Sequence, residues 1–155
     1  IQSPEMARFS FRFEAIDSRQ VERVSLEDAS AQPPFRHTWV KARDPLPNNP
    51  EIHVAMLGYM SDLDFMSTSM LPHGRARMRR NVRGASLDHA LWFHRPFRAD
   101  EWLLFAKQSP NAAAARGFVR GQFFNRAGQL VASAAQECLI RPTVEQVEST
   151  DSTCS

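Results

Sequence analysis

The sequence predicts an α+β fold in which a long helix is wrapped by a curved antiparallel sheet, and three patterns carry that reading. Residues 50–70 place Ile52, Ala55, Met56, Tyr59, Met60, Leu63 and Met66 at three- and four-residue steps, the spacing of an apolar helical stripe. Residues 86–94 alternate polar and apolar side chains, so Ser86, Asp88, Ala90, Trp92 and His94 would lie opposite Leu87, His89, Leu91 and Phe93 in a strand. Residues 116–124 and 129–140 flank Asn125-Arg126-Ala127-Gly128, whose Asn and Gly favour a turn, which predicts an antiparallel hairpin.

In chain order, Phe9, Phe11 and Phe13 alternate with Ser10 and Arg12 as a short strand with one aromatic face. Residues 17–32 are polar and read as loop with weak strand, interrupted by Pro33-Pro34. Residues 37–42, with Thr38, Trp39 and Val40, read as a strand. Asn48 and Asn49 before Pro50 supply a capping signal and a first-turn proline for the helix. Leu71-Pro72-His73-Gly74 stops it. After Arg95-Pro96 ends the strand begun at Ser86, residues 101–108 form the next strand. The small residues 109–114 read as a loop before the hairpin.

The chain has 155 residues and is 43% hydrophobic, with 11 Phe and 3 Trp: enough for one core and too little for two ordinary domains. A net charge of +2 neither demands a polyanion nor excludes an anionic ligand. Cys138 in a strand and Cys154 in the tail do not make a disulfide framework, which favours a reducing compartment. No apolar run is long enough to span a bilayer as a helix. The first residue is Ile1 rather than Met, which reads as a fragment of a longer polypeptide.

Three polar residues sit at odd positions. Asp62 lies at the edge of the helical stripe: it is either a solvated edge residue or a general base whose basicity partial burial would raise. Gln136 shares parity with Leu130, Ala132, Ala134, Cys138 and Ile140, so its amide faces the core, either satisfied by backbone or orienting a water or a carbonyl. Ser86 opens its strand with a hydroxyl of the same ambiguous kind. Gly84-Ala85-Ser86-Leu87-Asp88 is no nucleophile elbow, because the second glycine is missing and a strand follows. A metal site from Asp88, His89 and His94 is disfavoured, because a five-residue step along a strand puts the two imidazoles on opposite faces and leaves both as packed or surface residues. No metal or cofactor is expected.

Gly58-Tyr59-Met60-Ser61-Asp62, the run from Ser86 through Asp88-His89-Ala90-Leu91-Trp92-Phe93-His94-Arg95-Pro96 to Phe97, Ala115-Arg116-Gly117-Phe118-Val119-Arg120-Gly121, and Leu130-Val131-Ala132-Ser133-Ala134-Ala135-Gln136-Glu137 together closely resemble the second half of the acyl-CoA thioesterase II family, in the right order across residues 35–141. The resemblance implies a hotdog fold, a helix wrapped by a curved antiparallel sheet. It implies one domain over residues 1–142, the second repeat of a double-hotdog protein, followed by a disordered polar tail over 143–155. It further implies that Asp62, Ser86 and Gln136 are the catalytic residues, with Ser86 in the place of a threonine or serine hydroxyl.

The implied chemistry is hydrolysis of a fatty acyl-CoA thioester by a water that the three side chains hold and Asp62 deprotonates. A thiol near the cysteine pKa of about 8.5 leaves readily, so one carboxylate suffices. A second class stays open: a non-catalytic half that dimerises or binds acyl-CoA, its partner being the missing N-terminal repeat or a second copy joined through the sheet edge. Arg75, Arg77, Arg79, Arg80 and Arg83 form a basic run read first as a solvated loop, then as a contact to CoA phosphates; without interleaved aromatics it does not argue for nucleic acid. The end, Thr153-Cys154-Ser155, is unlike a Ser-Lys-Leu peroxisomal address, and the expected compartment is intracellular, either cytoplasmic or peroxisomal.

Overall fold

The computed structural model of the chain describes residues 14–22, 30–74 and 82–142. Within them run β1 (Ile16–Gln20), β2 (Phe35–Ala42), α1 (Pro50–Ser61), α2 (Phe65–Met70), a 3-10 turn (Leu71–His73), β3 (Val82–Ser86), β4 (Ala90–Phe93), β5 (Leu103–Ala113), β6 (Arg116–Phe124) and β7 (Leu130–Pro142). The strands form one antiparallel sheet in the order β1-β2-β5-β6-β7-β3, with β4 also on β7. It curls around the helices, so that α2 touches β3, β5, β6 and β7, and α1 touches β2. The strand of Phe9, Phe11 and Phe13, four arginines of the basic run and the tail with Cys154 lie outside the described residues.

The core fills the concave side of the sheet. Leu57, Met60 and Phe65 meet Val40, Leu103, Phe105, Val119, Phe123 and Val131 there. Phe105 and Phe123 stack with ring centroids 3.9 Å apart. Gly121 makes room for them: a Cβ at that position would fall 2.3 Å from a Phe105 ring carbon and 3.0 Å from one of Phe65. The β6–β7 hairpin forms as expected. Its turn closes on the Asn125 side chain, whose Oδ1 accepts the Ala127 and Gln129 amides, with Gly128 at φ 78°.

Three expectations about elements need correction. The helix starts as read, with Asn49 accepting the Glu51 amide and Pro50 in the first turn, but it is not continuous to residue 70. Asp64 adopts φ 54°, a left-handed conformation that an aspartate tolerates better than most residues, and divides α1 from α2. The buried face also differs from the expected stripe. His53, Leu57, Met60 and Ser61 are buried, whereas Ile52 and Tyr59 are exposed. Apolar residues occupy more than one side of α1, so spacing alone selects no single face.

Residues 109–114 are largely strand rather than loop: β5 continues to Ala113 and pairs with β6. Pro110, which has no N–H to donate, falls where the register shifts between Gln108 and Asn111. The chain then reverses on Ala114 and Ala115, both at positive φ.

The strand expected over residues 86–94 is interrupted. Ser86 pairs with Cys138 and Ala90 with Ala135, so three residues, Leu87, Asp88 and His89, stand opposite two, Glu137 and Gln136. This bulge is closed by polar contacts: the Leu87 amide donates to the Glu137 carbonyl at 2.9 Å and the Glu137 amide to Asp88 Oδ1 at 2.6 Å. One extra residue inverts the facing of all that follow. Leu91 therefore packs on the core side, and His89 turns toward the helices together with Ser86 instead of away from it.

Candidate active site

Three elements converge where α1 ends. Asp62 is the C-cap residue of α1, Ser86 is the last residue of β3, and Gln136 lies on β7 beside the bulge. Gly84 lets β3 approach the helices, since a Cβ there would come within 2.6 Å of Met66 Sδ. Gln136 is only 1% exposed, on the core-facing parity expected of it. Asp62 is solvent-exposed, as the solvated-edge alternative has it, because its position at the helix end opens onto a crevice. That crevice, about 580 Å³, is lined by Tyr59, Asp62, Phe65, Met66, Gly84 and Ser86 among others. Larger hollows lie on the sheet near His37 and Arg120 and at the start of α1 near His53, neither lined by any of the three side chains.

The three expected residues come together in one hydrogen-bonded string. Ser86 Oγ donates to Asp62 Oδ1 at 3.4 Å, a long contact, and accepts from Gln136 Nε2 at 2.8 Å. An ionised carboxylate can only accept, so the Ser86 proton points to Asp62 and the serine must receive an N–H from Gln136. The arrangement offers one carboxylate and one hydroxyl on the crevice, with a buried amide N–H behind the hydroxyl, groups that can hold and deprotonate a water.

The sequence reading missed two further residues. Gln136 Oε1 is bonded by His89 Nδ1, and His89 Nε2 lies 2.7 Å from Ser61 Oγ, whose own hydroxyl also reaches the Gly58 carbonyl at 2.7 Å. The His89 ring stands edge-on to Phe65, centroids 5.7 Å apart. Strict alternation had turned His89 to the other face from Ser86, and no glycine or proline over residues 87–89 marks the bulge that brings it in. His94 binds Ser133 Oγ at 2.9 Å on the opposite side of the strand from His89.

Behind the site, Lys107 is 2% exposed and donates from Nζ to the Leu63 carbonyl at 3.3 Å, in the break between α1 and α2. Its ammonium also sits 5.0 Å from the Phe105 ring centroid. Burial pulls its pKa down to about 8, against the attraction of Asp64. Cys138 is buried below Gln136 and donates to the Gly117 carbonyl at 3.1 Å; burial pushes its thiol pKa up. Among the described residues no helix is long and apolar enough to cross a membrane.

Comparison with known proteins fits this geometry. The family profile described as acyl-CoA thioesterase matches residues 7–139. The chain is 38% identical over 109 residues to acyl-CoA thioesterase 2 of Haemophilus influenzae, covering 70% of this chain and 38% of that protein. It is 39% identical over 127 residues to mouse acyl-coenzyme A thioesterase 8, covering 81% and 39%. Among solved structures, an acyl-CoA thioesterase II, TesB2, from Mycobacterium marinum superposes with a TM-score of 0.74 at 40% identity, covering 85% of this chain and 51% of that one. A protein from Alicyclobacillus acidocaldarius described as having a hot dog fold superposes at 0.61 with 16% identity, a likeness of fold alone. The chain thus spans about half or less of the length of these relatives. A hotdog-fold chain matched over nearly its whole described length by that profile, it belongs to the acyl-CoA thioesterase family.

Proposed function

We propose that this chain carries the catalytic residues of an acyl-CoA thioesterase that hydrolyses fatty acyl-CoA to a free fatty acid and CoA. The observation that carries the reading is the string from Asp62 through Ser86 to the buried Gln136, whose first two members line an open crevice. Asp62, Ser86 and Gln136 hold one water. Asp62 takes its proton as the oxygen attacks the thioester carbonyl, and the tetrahedral intermediate then expels CoA thiolate, which recovers that proton. No enzyme nucleophile forms a covalent bond, and no metal or cofactor enters. Family membership and the named activity of the relatives support the substrate class. The compartment in this reading is intracellular, cytoplasmic or peroxisomal, where acyl-CoA is found. Changing Asp62→Asn in the intact protein is expected to lower turnover of a long-chain acyl-CoA by about 10²–10⁴-fold, the usual contribution of a general base. Full activity in that variant refutes the assignment.

The second reading is a half that binds or dimerises without turnover. It is favoured by the exposure of Tyr59, Leu87, Trp92 and Phe93, large apolar side chains on or beside β4 and α1. Both readings propose that this side packs against a second repeat or a second copy of the chain. Size-exclusion chromatography followed by a thioesterase assay separates them: a dimer with turnover supports the enzyme, and a monomer without turnover supports the binding half.

A further inference from the structure

We propose that His89 is a positioning residue that determines which end of the buried Gln136 amide faces Ser86. The inference rests on the thioesterase reading for its catalytic consequence, but its geometric content stands by itself. The contacts close a ring: Asp62 to Ser86, Ser86 to Gln136, Gln136 to His89, His89 to Ser61, and Ser61 to Asp62 through the peptide bond.

A glutamine amide is nearly symmetric in shape and opposite in function at its two ends, one offering two N–H donors and the other a carbonyl acceptor. Turned one way, Gln136 gives Ser86 an N–H and leaves its second N–H for a water or a thioester oxygen. Turned the other way it presents lone pairs to a hydroxyl already committed to Asp62. A donor on the far side selects the first orientation, and His89 Nδ1 is that donor.

The direction of each proton from Asp62 round to His89 Nδ1 follows from the carboxylate. Because the carboxylate accepts, Ser86 donates to it, Gln136 donates to Ser86, and His89 must donate from Nδ1 to Gln136. A neutral imidazole then has a bare Nε2, which accepts the Ser61 hydroxyl. Where Ser61 donates to the Gly58 carbonyl instead, Nε2 carries a second proton and donates to Ser61. Both states keep the proton on Nδ1. The bulge makes this possible, since it sets Ser86 and His89 on the same face, three residues apart.

Long-range ¹H–¹⁵N NMR of the unsubstituted protein reads the His89 protonation pattern without any need for turnover. A proton on Nδ1, with or without one on Nε2, is the expected result; the tautomer with its proton on Nε2 alone overturns the proposal. In the intact protein acting on a long-chain acyl-CoA, His89→Leu is expected to lower kcat about 10–100-fold with KM unchanged, as misplacement of a reacting group does. His89→Asn, which keeps an N–H close to the Nδ1 position, is expected to recover most of the loss. Equal activity in the two variants, or a change in KM alone, overturns the positioning role. Should Asp62→Asn retain full turnover while the Nδ1 proton is found, the assignment of Asp62 as general base has failed and the amide orientation has not; should the unsubstituted protein show no turnover while that proton is found, the thioesterase reading has failed and the amide orientation again has not.

Discussion

Lys107 gives the sharpest stability prediction, because its ammonium is buried with a single hydrogen bond among the described residues, to the Leu63 carbonyl, and the face of Phe105 for company. Its pKa falls from 10.5 in the unfolded chain to about 8 in the native state. At about 1.4 kcal/mol per pH unit, that difference amounts to roughly 3 kcal/mol. The sign is set by which state holds the proton. Below pH 8 both states are protonated and the native state bears the whole cost of burying the charge. Between about pH 8 and 10.5 only the unfolded chain keeps the proton, so stability rises through that window, and above it the contribution is level. Cys138 opposes this, because its raised thiol pKa makes the unfolded chain ionise first as pH passes 9.0. Comparison with Lys107→Met removes the cysteine from the balance. Urea unfolding of both proteins at intervals between about pH 7 and 11 is expected to show the unsubstituted protein gaining up to about 3 kcal/mol on the variant. Parallel curves would refute the reasoning and mean that the contacts at the helix break fully offset the desolvation of the charge.

Three further outcomes follow from single contacts. Gly121→Ala is expected to destabilise by about 1–3 kcal/mol, as overpacking does, because its Cβ meets the stacked Phe105 ring; denaturant midpoints check it. Asp100, whose pKa Arg98 holds down to about 2 with help from the Leu46 amide, should stabilise the protein above about pH 4 and lose that contribution as pH falls toward 2. Thermal unfolding of Asp100→Asn should then fall below the unsubstituted protein at neutral pH and converge with it near pH 2. For Ser86, replacement by Thr keeps the hydroxyl between Asp62 and Gln136 and should retain turnover, whereas Ser86→Ala should lower kcat in a steady-state assay.

Gln136 was legible because β7 keeps its two-residue period undisturbed from Ala132 to Ile140, and alternation then assigns a face correctly. The start of α1 was legible because Asn49 and Pro50 act within a few residues of themselves. What could not be read was set by distant partners. Residues 109–113 have weak strand preference, yet β6 supplies the ladder that makes them strand. The helix break at Asp64 carries no glycine or proline, and a serine and a threonine one turn on bond its carbonyl. Asp62, Ser86 and Gln136 could be singled out as polar residues in awkward places, whereas His89 could not, because its orientation depends on a residue count across two strands.

That count has an evolutionary corollary. Loss of either Leu87 or Asp88 would set two residues opposite Glu137 and Gln136 and leave Ala90 opposite Ala135, so the imidazole and Leu91 would keep the inward face and Trp92 the outward one. A deletion between Ala90 and Phe93, where each residue has its own partner on β7, would instead turn every later side chain of the strand to the opposite face. Lineages of such chains should therefore vary in length at residues 87–88 while holding the spacing from 90 to 93 fixed.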